Sequence, residues 1–267
     1  MKIFTVTLTG ADESVDPKDL LYISDKFPWV EWGILLSSKK SGSPRYPAAN
    51  WVSELSMICK DRDRQAEGVI RPKFAAHLCG DTMRSFMRGI TFEHYDSGAW
   101  IMPHGLDLSG FNRLFGRAQA NFNASREGFT DDHLQCMLEG WYETMDGALI
   151  SQHNPANSEV WKPLQRIDQS YGSIRSHHIL HDASGGRGLS PQSWERPIAG
   201  ALNGYAGGIG PDNVIDTLHA LEPIVGQGYI WIDMEGKLRS RDDAFDLEAA
   251  EKMLKDIEQV AIQQGWL

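Results

Sequence analysis

The sequence predicts a single (β/α)8 barrel over residues 1–267. Three observations predict it. Short apolar runs recur, each followed by a Gly- or Pro-rich turn and a longer amphipathic stretch, as in βα units. Eight such runs can be placed along the chain. The length of 267 residues suits a barrel, which usually takes about 250 as one domain, and no linker or low-complexity tract divides it.

The first strand covers residues 3–9. Phe4, Val6 and Leu8 alternate with Thr5, Thr7 and Thr9, and a period of two specifies a strand. Asp16 then reads as a helix N-cap with Pro17 at the first helical position, and Leu20, Leu21, Ile23 and Phe27 continue the helix. The second strand falls at 30–37 and the third at 73–80. The fourth lies within 110–123 and ends on Arg117-Ala-Gln-Ala-Asn-Phe122. The fifth is placed at 147–154, the sixth at 176–182, a short seventh within 199–208 and the eighth at 228–233. A last helix starts near Asp246, with Leu247, Ala250, Met253, Leu254, Ile257, Val260 and Ala261 at helical spacing. Residues 82–113 read as an irregular insertion, in which Trp100, His104 and Asp107 are candidates for a lid.

Alternation also predicts facing. With Phe4, Val6 and Leu8 on the helix layer, Thr9 points into the barrel mouth. Phe74, Ala76 and Leu78 outward put His77 and Cys79 inward. Ile230 and Ile232 outward put Asp233 inward beside Trp231. Ile179 outward puts Asp182 inward with His178 and Leu180. The mouth of such a barrel, at the C-terminal strand ends, is where its chemistry is done. A one-residue error of register would flip any of these sets.

The formal net charge of −10 argues against a nucleic acid polymer as partner, which would need a surplus of Lys and Arg. A small phosphorylated ligand stays open, because backbone N–H groups can hold one without basic charge. Cys59, Cys79 and Cys136 are too few and too scattered for a disulfide framework or a zinc ribbon, and read as reduced thiols of a cytoplasmic protein. The N-terminus lacks the pattern of a signal peptide, and no apolar run approaches the roughly 20 residues of a membrane span. His177, His178 and His181 invite a metal reading. Neighbouring strand residues face opposite ways, so at most some of them could share an ion, and neither metal nor cofactor is expected.

Three stretches carry a resemblance: Gly42-Ser-Pro-Arg-Tyr46 after strand two; Asp182 followed by Gly185-Gly-Arg-Gly188 and Trp194; and Ala206-Gly-Gly-Ile-Gly-Pro-Asp-Asn-Val214 after strand seven. In this order they resemble the phosphoribosylanthranilate isomerase family, most closely around strands two and six to eight. The resemblance implies a cofactor-free isomerisation of an N-glycosylamine to an enol-amine ketose, run by a general acid and a general base over a phosphate cradle. It makes Asp182 the acid, sets Arg45 near a substrate carboxylate, and assigns Gly185, Gly186, Gly207, Gly208 and Gly236 to the phosphate. Two features depart from the family. Its strand one ends in Lys-x-Cys-Gly with Cys as base, where this chain has Thr7-Leu-Thr-Gly10; Thr9 is a weak base, and Cys79 is an alternative. Its strand-eight turn is rich in Ser and Gly, where this chain has Asp233 and Glu235, with Lys237 and Arg239 to compensate.

The expectation is therefore a divergent, isomerase-like barrel acting on a phosphorylated sugar or phosphoribosyl ligand. One alternative is a binding protein that keeps the cradle without the chemistry. A weaker one is metal-assisted hydrolysis by His and Asp at the mouth.

Overall fold

Eight parallel strands pair in sequence order, and the eighth returns to the first. The computed structural model describes residues 1–65, 71–84, 106, 108–170 and 177–267. Its strands are β1 (Lys2–Thr9), β2 (Val30–Leu36), β3 (Lys73–Cys79), β4 (Arg117–Asn121), β5 (Ala148–His153), β6 (His177–His181), β7 (Leu202–Ala206) and β8 (Tyr229–Met234). The helices are α1 (Pro17–Lys26), α2 (Ala49–Gln65), α3 (Leu108–Leu114), α4 (Ala124–Glu127), α5 (Asp131–Thr144), α6 (Trp161–Ser170), α7 (Val214–Val225) and α8 (Leu247–Gln264). The eight expected strands and the barrel are all present.

Local chemistry sets the helix starts. Asp16 accepts a hydrogen bond from Lys18 N at 2.9 Å, with Pro17 in the first turn where its missing N–H costs nothing. Asp246 caps α8 in the same way through Ala249 N at 2.9 Å. The end of the expected irregular insertion is helical: α3 buries Phe111 and Leu114. Trp100, His104 and Asp107 lie outside the described residues. Among the described helices, none is long and apolar enough to cross a membrane.

Among the described residues the apolar core has two compartments. The larger lies between strands and helices and takes Val6, Leu8, Trp32, Phe74, Ala76, Leu78, Ile230 and Ile232. The smaller lies inside the barrel around Ile150, Leu180 and Trp231. The facing expected for β3 and β8 is observed. In β1 one residue departs from it. The pairing with β8 shifts between Ile3 and Thr5, a bulge that inserts one residue. Ile3 joins the outer core, while the Phe4 ring meets His178 edge-on at 6.4 Å and the Arg117 guanidinium at 5.7 Å. Phe4 thus turns into the lower barrel instead of the helix layer. Beyond the bulge Val6 and Leu8 face out, and Thr7 and Thr9 face in.

Two inward glycines make room for larger neighbours. A Cβ on Gly204 would lie 2.1 Å from Trp231 Cε2, and one on Gly33 would lie 2.1 Å from Thr9 Oγ1 and 3.0 Å from the His77 ring. The missing side chains on β7 and β2 are what admit Trp231 to the middle of the barrel, and Thr9 with His77 to its upper part.

Candidate functional site

The lower barrel is built around one buried ion pair. Glu31 on β2 and Arg117 on β4 are bonded through two guanidinium nitrogens, Nε to Oε2 at 2.9 Å and Nη2 to Oε1. Thr7 donates to Glu31 Oε1 at 2.8 Å, and Arg117 Nη1 lies 3.3 Å from His178 Nδ1. The guanidinium sits over Trp231, 4.5 Å from its centroid. Burial alone would raise the Glu31 pKa, but the Arg117 charge and the hydrogen bonds from Arg117 and Thr7 outweigh it and hold the carboxyl below its ordinary value. Burial, then Arg117, holds His178 neutral, well below its usual range.

Above this layer opens a cavity of about 1140 Å³. Its floor carries Asp233 from β8, which is buried. Thr9 donates to Asp233 Oδ1 at 2.7 Å, and His77 Nε2 stands 4.0 Å from Oδ2. Desolvation raises Asp233 to about 7, with the Thr9 hydrogen bond only partly opposing. The same desolvation lowers His77 to about 4, so the imidazole beside it is neutral at neutral pH. Gln119 on β4 also lines the cavity, and its buried Oε1 lacks a hydrogen-bond partner among the described residues. Its Nε2 donates to Asn121 Oδ1 at 2.7 Å.

The residues expected at the site are brought together here, each with partners of its own within the protein. Asp182 lines the cavity, yet its carboxylate accepts three hydrogen bonds from its own loop. Ser184 Oγ donates to Oδ1 at 2.7 Å, Ser184 N to Oδ1 at 3.2 Å and Gly186 N to Oδ2 at 2.6 Å. Thr9 serves as donor to Asp233. Cys79 lines the cavity as a thiol: burial pushes it up to about 11, against a hydrogen bond from Asn121 Nδ2 at 3.2 Å. Arg45 also reaches the cavity, but its guanidinium is committed to Glu235 at 3.0 Å and Asp243 at 3.1 Å. Arg45 holds a left-handed φ of 75°, and its N–H donates to Asp12 Oδ2 at 2.6 Å.

All the expected cradle glycines line the cavity. Gly185 and Gly186 have φ of 60° and 83°, which lets their loop turn tightly after Asp182. Gly207 and Gly208 are approached closely by the chain's own β6–β7 loop. A Cβ on Gly207 would lie 2.8 Å from Leu189 O, and one on Gly208 would lie 2.5 Å from Ser190 Oγ. Gly236 begins a short 3-10 turn at Gly236–Leu238. Of the two cations expected to offset Asp233 and Glu235, Lys237 lines the cavity. Arg239 instead ties Gly10 O, Asp12 and Asp243 together beneath the mouth. Trp194 packs edge-on against Tyr205, 5.9 Å between centroids.

Outward from the same strands, His177 Nε2 meets Ser151 Oγ at 2.7 Å. His181 stacks on Tyr205 at 5.0 Å, so the three histidines of residues 177–181 face different neighbours. Gln119 and Asn121 are additions to the site. The pattern Arg117-Ala-Gln-Ala-Asn121 carried their signal: a polar residue at every second position of a strand faces one side, here the barrel interior.

No protein-family model and no curated protein sequence matches the chain. Solved structures match its fold. Phosphoribosyl anthranilate isomerase from Thermus thermophilus superposes with a TM-score of 0.54 at 12% identity, covering 96% of this chain and 99% of that one. Phospho-2-dehydro-3-deoxyheptonate aldolase from Thermotoga maritima gives 0.56 at 9% identity, covering 99% of this chain and 70% of that one. A putative spore coat polysaccharide biosynthesis protein E from Chromobacterium violaceum gives 0.53 at 10% identity, covering 99% and 76%. At these identities the likeness is one of fold.

Proposed function

We propose that the chain is a proton-transfer enzyme of the isomerase type, acting on a phosphorylated sugar or phosphoribosyl ligand, with Asp233 as the group that moves the proton. One observation carries this reading. Asp233 is buried on the cavity floor at the C-terminal end of β8, and that burial pushes its pKa up to about 7. A carboxyl poised near working pH can give or take a proton at little cost, which general acid–base catalysis requires. Thr9 holds Oδ1, so Oδ2 is the oxygen that exchanges the proton. In this reading the pair Thr9–Asp233 takes over the duty that the resembling family gives to a strand-one Cys.

The ligand class follows from the lining. Lys40, Arg187 and Lys237 stand around the cavity with the glycine turns of the β6, β7 and β8 loops. Cations and close backbone suit an anion such as a phosphate. Gln119 Oε1 suits a hydroxyl or amine donor of the ligand. The superposition with an isomerase supports the barrel scaffold, and the three sequence stretches support the choice among barrel chemistries.

A second reading rests on a separate observation. Asp182 and Arg45, the expected acid and carboxylate partner, are both occupied within the protein. That favours a barrel that binds a phosphorylated ligand without converting it. Turnover of phosphoribosylanthranilate, followed by loss of its fluorescence, and of a panel of aldose phosphates decides between the two. The enzyme reading expects turnover in the wild type and a loss of about 100- to 10,000-fold in Asp233→Asn. Thermal stabilisation by a ligand that is recovered unchanged supports the binding reading instead.

A further inference from the structure

We infer that His153, His181 and Glu195 form a binding site for one divalent transition-metal ion of the zinc class, on the outer wall of the barrel. The site is separate from the cavity. His181 lies on β6 with its ring on Tyr205, on the opposite face of the strand from Leu180 and Asp182. His153 ends β5, in register with His181, and Glu195 reaches over both from the β6–β7 loop. His153 Nε2 is 3.0 Å from Glu195 Oε2, and His181 Nδ1 is 3.3 Å from the same oxygen. One ligand atom from each residue falls within 4.8 Å of the others.

The hydrogen bonds decide what the His181 nitrogen offers. Asn203 Nδ2 donates to Ile198 O at 2.9 Å and to Ala201 O at 2.8 Å, and Asn203 Oδ1 accepts from Ile198 N at 2.8 Å. These bonds fix the amide orientation, so Oδ1 is an acceptor. Since His181 Nε2 lies 2.8 Å from that oxygen, Nε2 carries the proton. In the neutral ring Nδ1 is then a bare lone pair, and it points at a carboxylate oxygen. The 3.3 Å gap between these two acceptors is one that a proton or a metal ion bridges. A second imidazole converging on the same oxygen completes a two-histidine, one-carboxylate set. At His181 the outer N–H is held by an amide oxygen, as ligating histidines usually have it.

The geometry is near what zinc demands. Bonds of about 2.0–2.2 Å in a tetrahedron put ligand atoms roughly 3.4 Å apart. The side chain of Glu195 is 56% exposed and that of His153 is 18% exposed, so two of the three can close on an ion and a fourth position faces solvent. Imidazole nitrogens select zinc, cobalt or nickel over magnesium and calcium. The bound ion would pin the β6–β7 loop, whose Ser184–Gly188 turn borders the cavity, to the barrel wall.

Zinc titration of chelator-stripped protein by calorimetry tests the site, with thermal unfolding alongside. The expected result is one ion per chain, a raised Tm with zinc, and no shift with magnesium or calcium. Glu195→Gln and His153→Gln, each at a partly exposed position, should each weaken zinc binding by more than about 100-fold, beyond the loss of an outer partner. Circular dichroism of both variants checks that they fold; His181 is left intact because its ring is buried. With cobalt in place of zinc, visible ligand-field bands should appear without a thiolate charge-transfer band. Absence of zinc binding, affinity unchanged in both variants, or a thiolate band that puts the ion at a cysteine would each overturn the assignment.

Discussion

The lower and upper halves of the barrel interior hold similar residues to opposite effect. Below, Glu31 is buried against Arg117, with Thr7 and His178 completing the set and Trp231 under the guanidinium. Above, Asp233 is buried with a threonine on one oxygen and a neutral histidine at 4.0 Å from the other. Each acid has a threonine from β1. Only the lower one has a cation. The lower carboxylate is therefore held charged and serves the fold, whereas the upper one is left near its titration point and is free to exchange a proton. A buried charge with a partner is architecture; a buried acid without one is a candidate for chemistry.

The largest effect should come from breaking the lower pair on one side. Arg117→Met leaves Glu31 buried and uncompensated, at a cost of about 3–5 kcal/mol in denaturant unfolding. Adding Glu31→Gln to that variant should recover much of the loss. A cost near zero for Arg117→Met would erase the contrast between the two halves.

Next comes Asp233. Its pKa is about 7 in the fold against an ordinary 3.8, so the folded state favours the protonated form. Stability from this group is full below pH 4 and is lost as pH rises toward and through 7. Asp233→Asn removes that loss. Its stability relative to wild type should rise between pH 4 and pH 8 by a few kcal/mol, at about 1.4 kcal/mol for each pH unit that separates the folded and unfolded titration points. A gap that does not change with pH would mean that Asp233 is charged like Glu31.

The buried histidines set the acid side. His77 is lowered to about 4 and His177 to about 3, both by burial, against an ordinary 6.5. The unfolded chain binds the extra protons first, so stability is held above about 6.5 and falls as pH drops toward 4. His177→Gln should flatten that fall in thermal unfolding scans from pH 7 to pH 4. An unchanged slope would remove His177 from the account.

The smallest effect is expected at Asp182. Its carboxylate holds the Ser184–Gly186 turn, so Asp182→Asn should change turnover by less than about tenfold, while Asp233→Asn loses 100-fold or more. The reverse ranking would return the proton-transfer role to Asp182, where the sequence resemblance puts it.

Local periodicity was enough to read the barrel. Alternating residues mark strands whatever they pack against, and a Pro after an Asp or a run at helical spacing marks a helix start. The positions of Asp233, His77 and Cys79 inside the mouth follow from the same parity. Parity fails at Phe4, because a bulge of one residue between Ile3 and Thr5 leaves no mark in an otherwise regular alternation. What each mouth residue does is a matter of partners that are far away in sequence. Thr9 meets Asp233 across 224 positions, and Arg45 meets Asp243 across 198. His181 finds His153 and Glu195 only because β5, β6 and the following loop are folded against one another. Facing is a local property of the backbone and can be read from the chain alone. Hydrogen bonding, desolvation and charge pairing depend on neighbours that only barrel closure supplies.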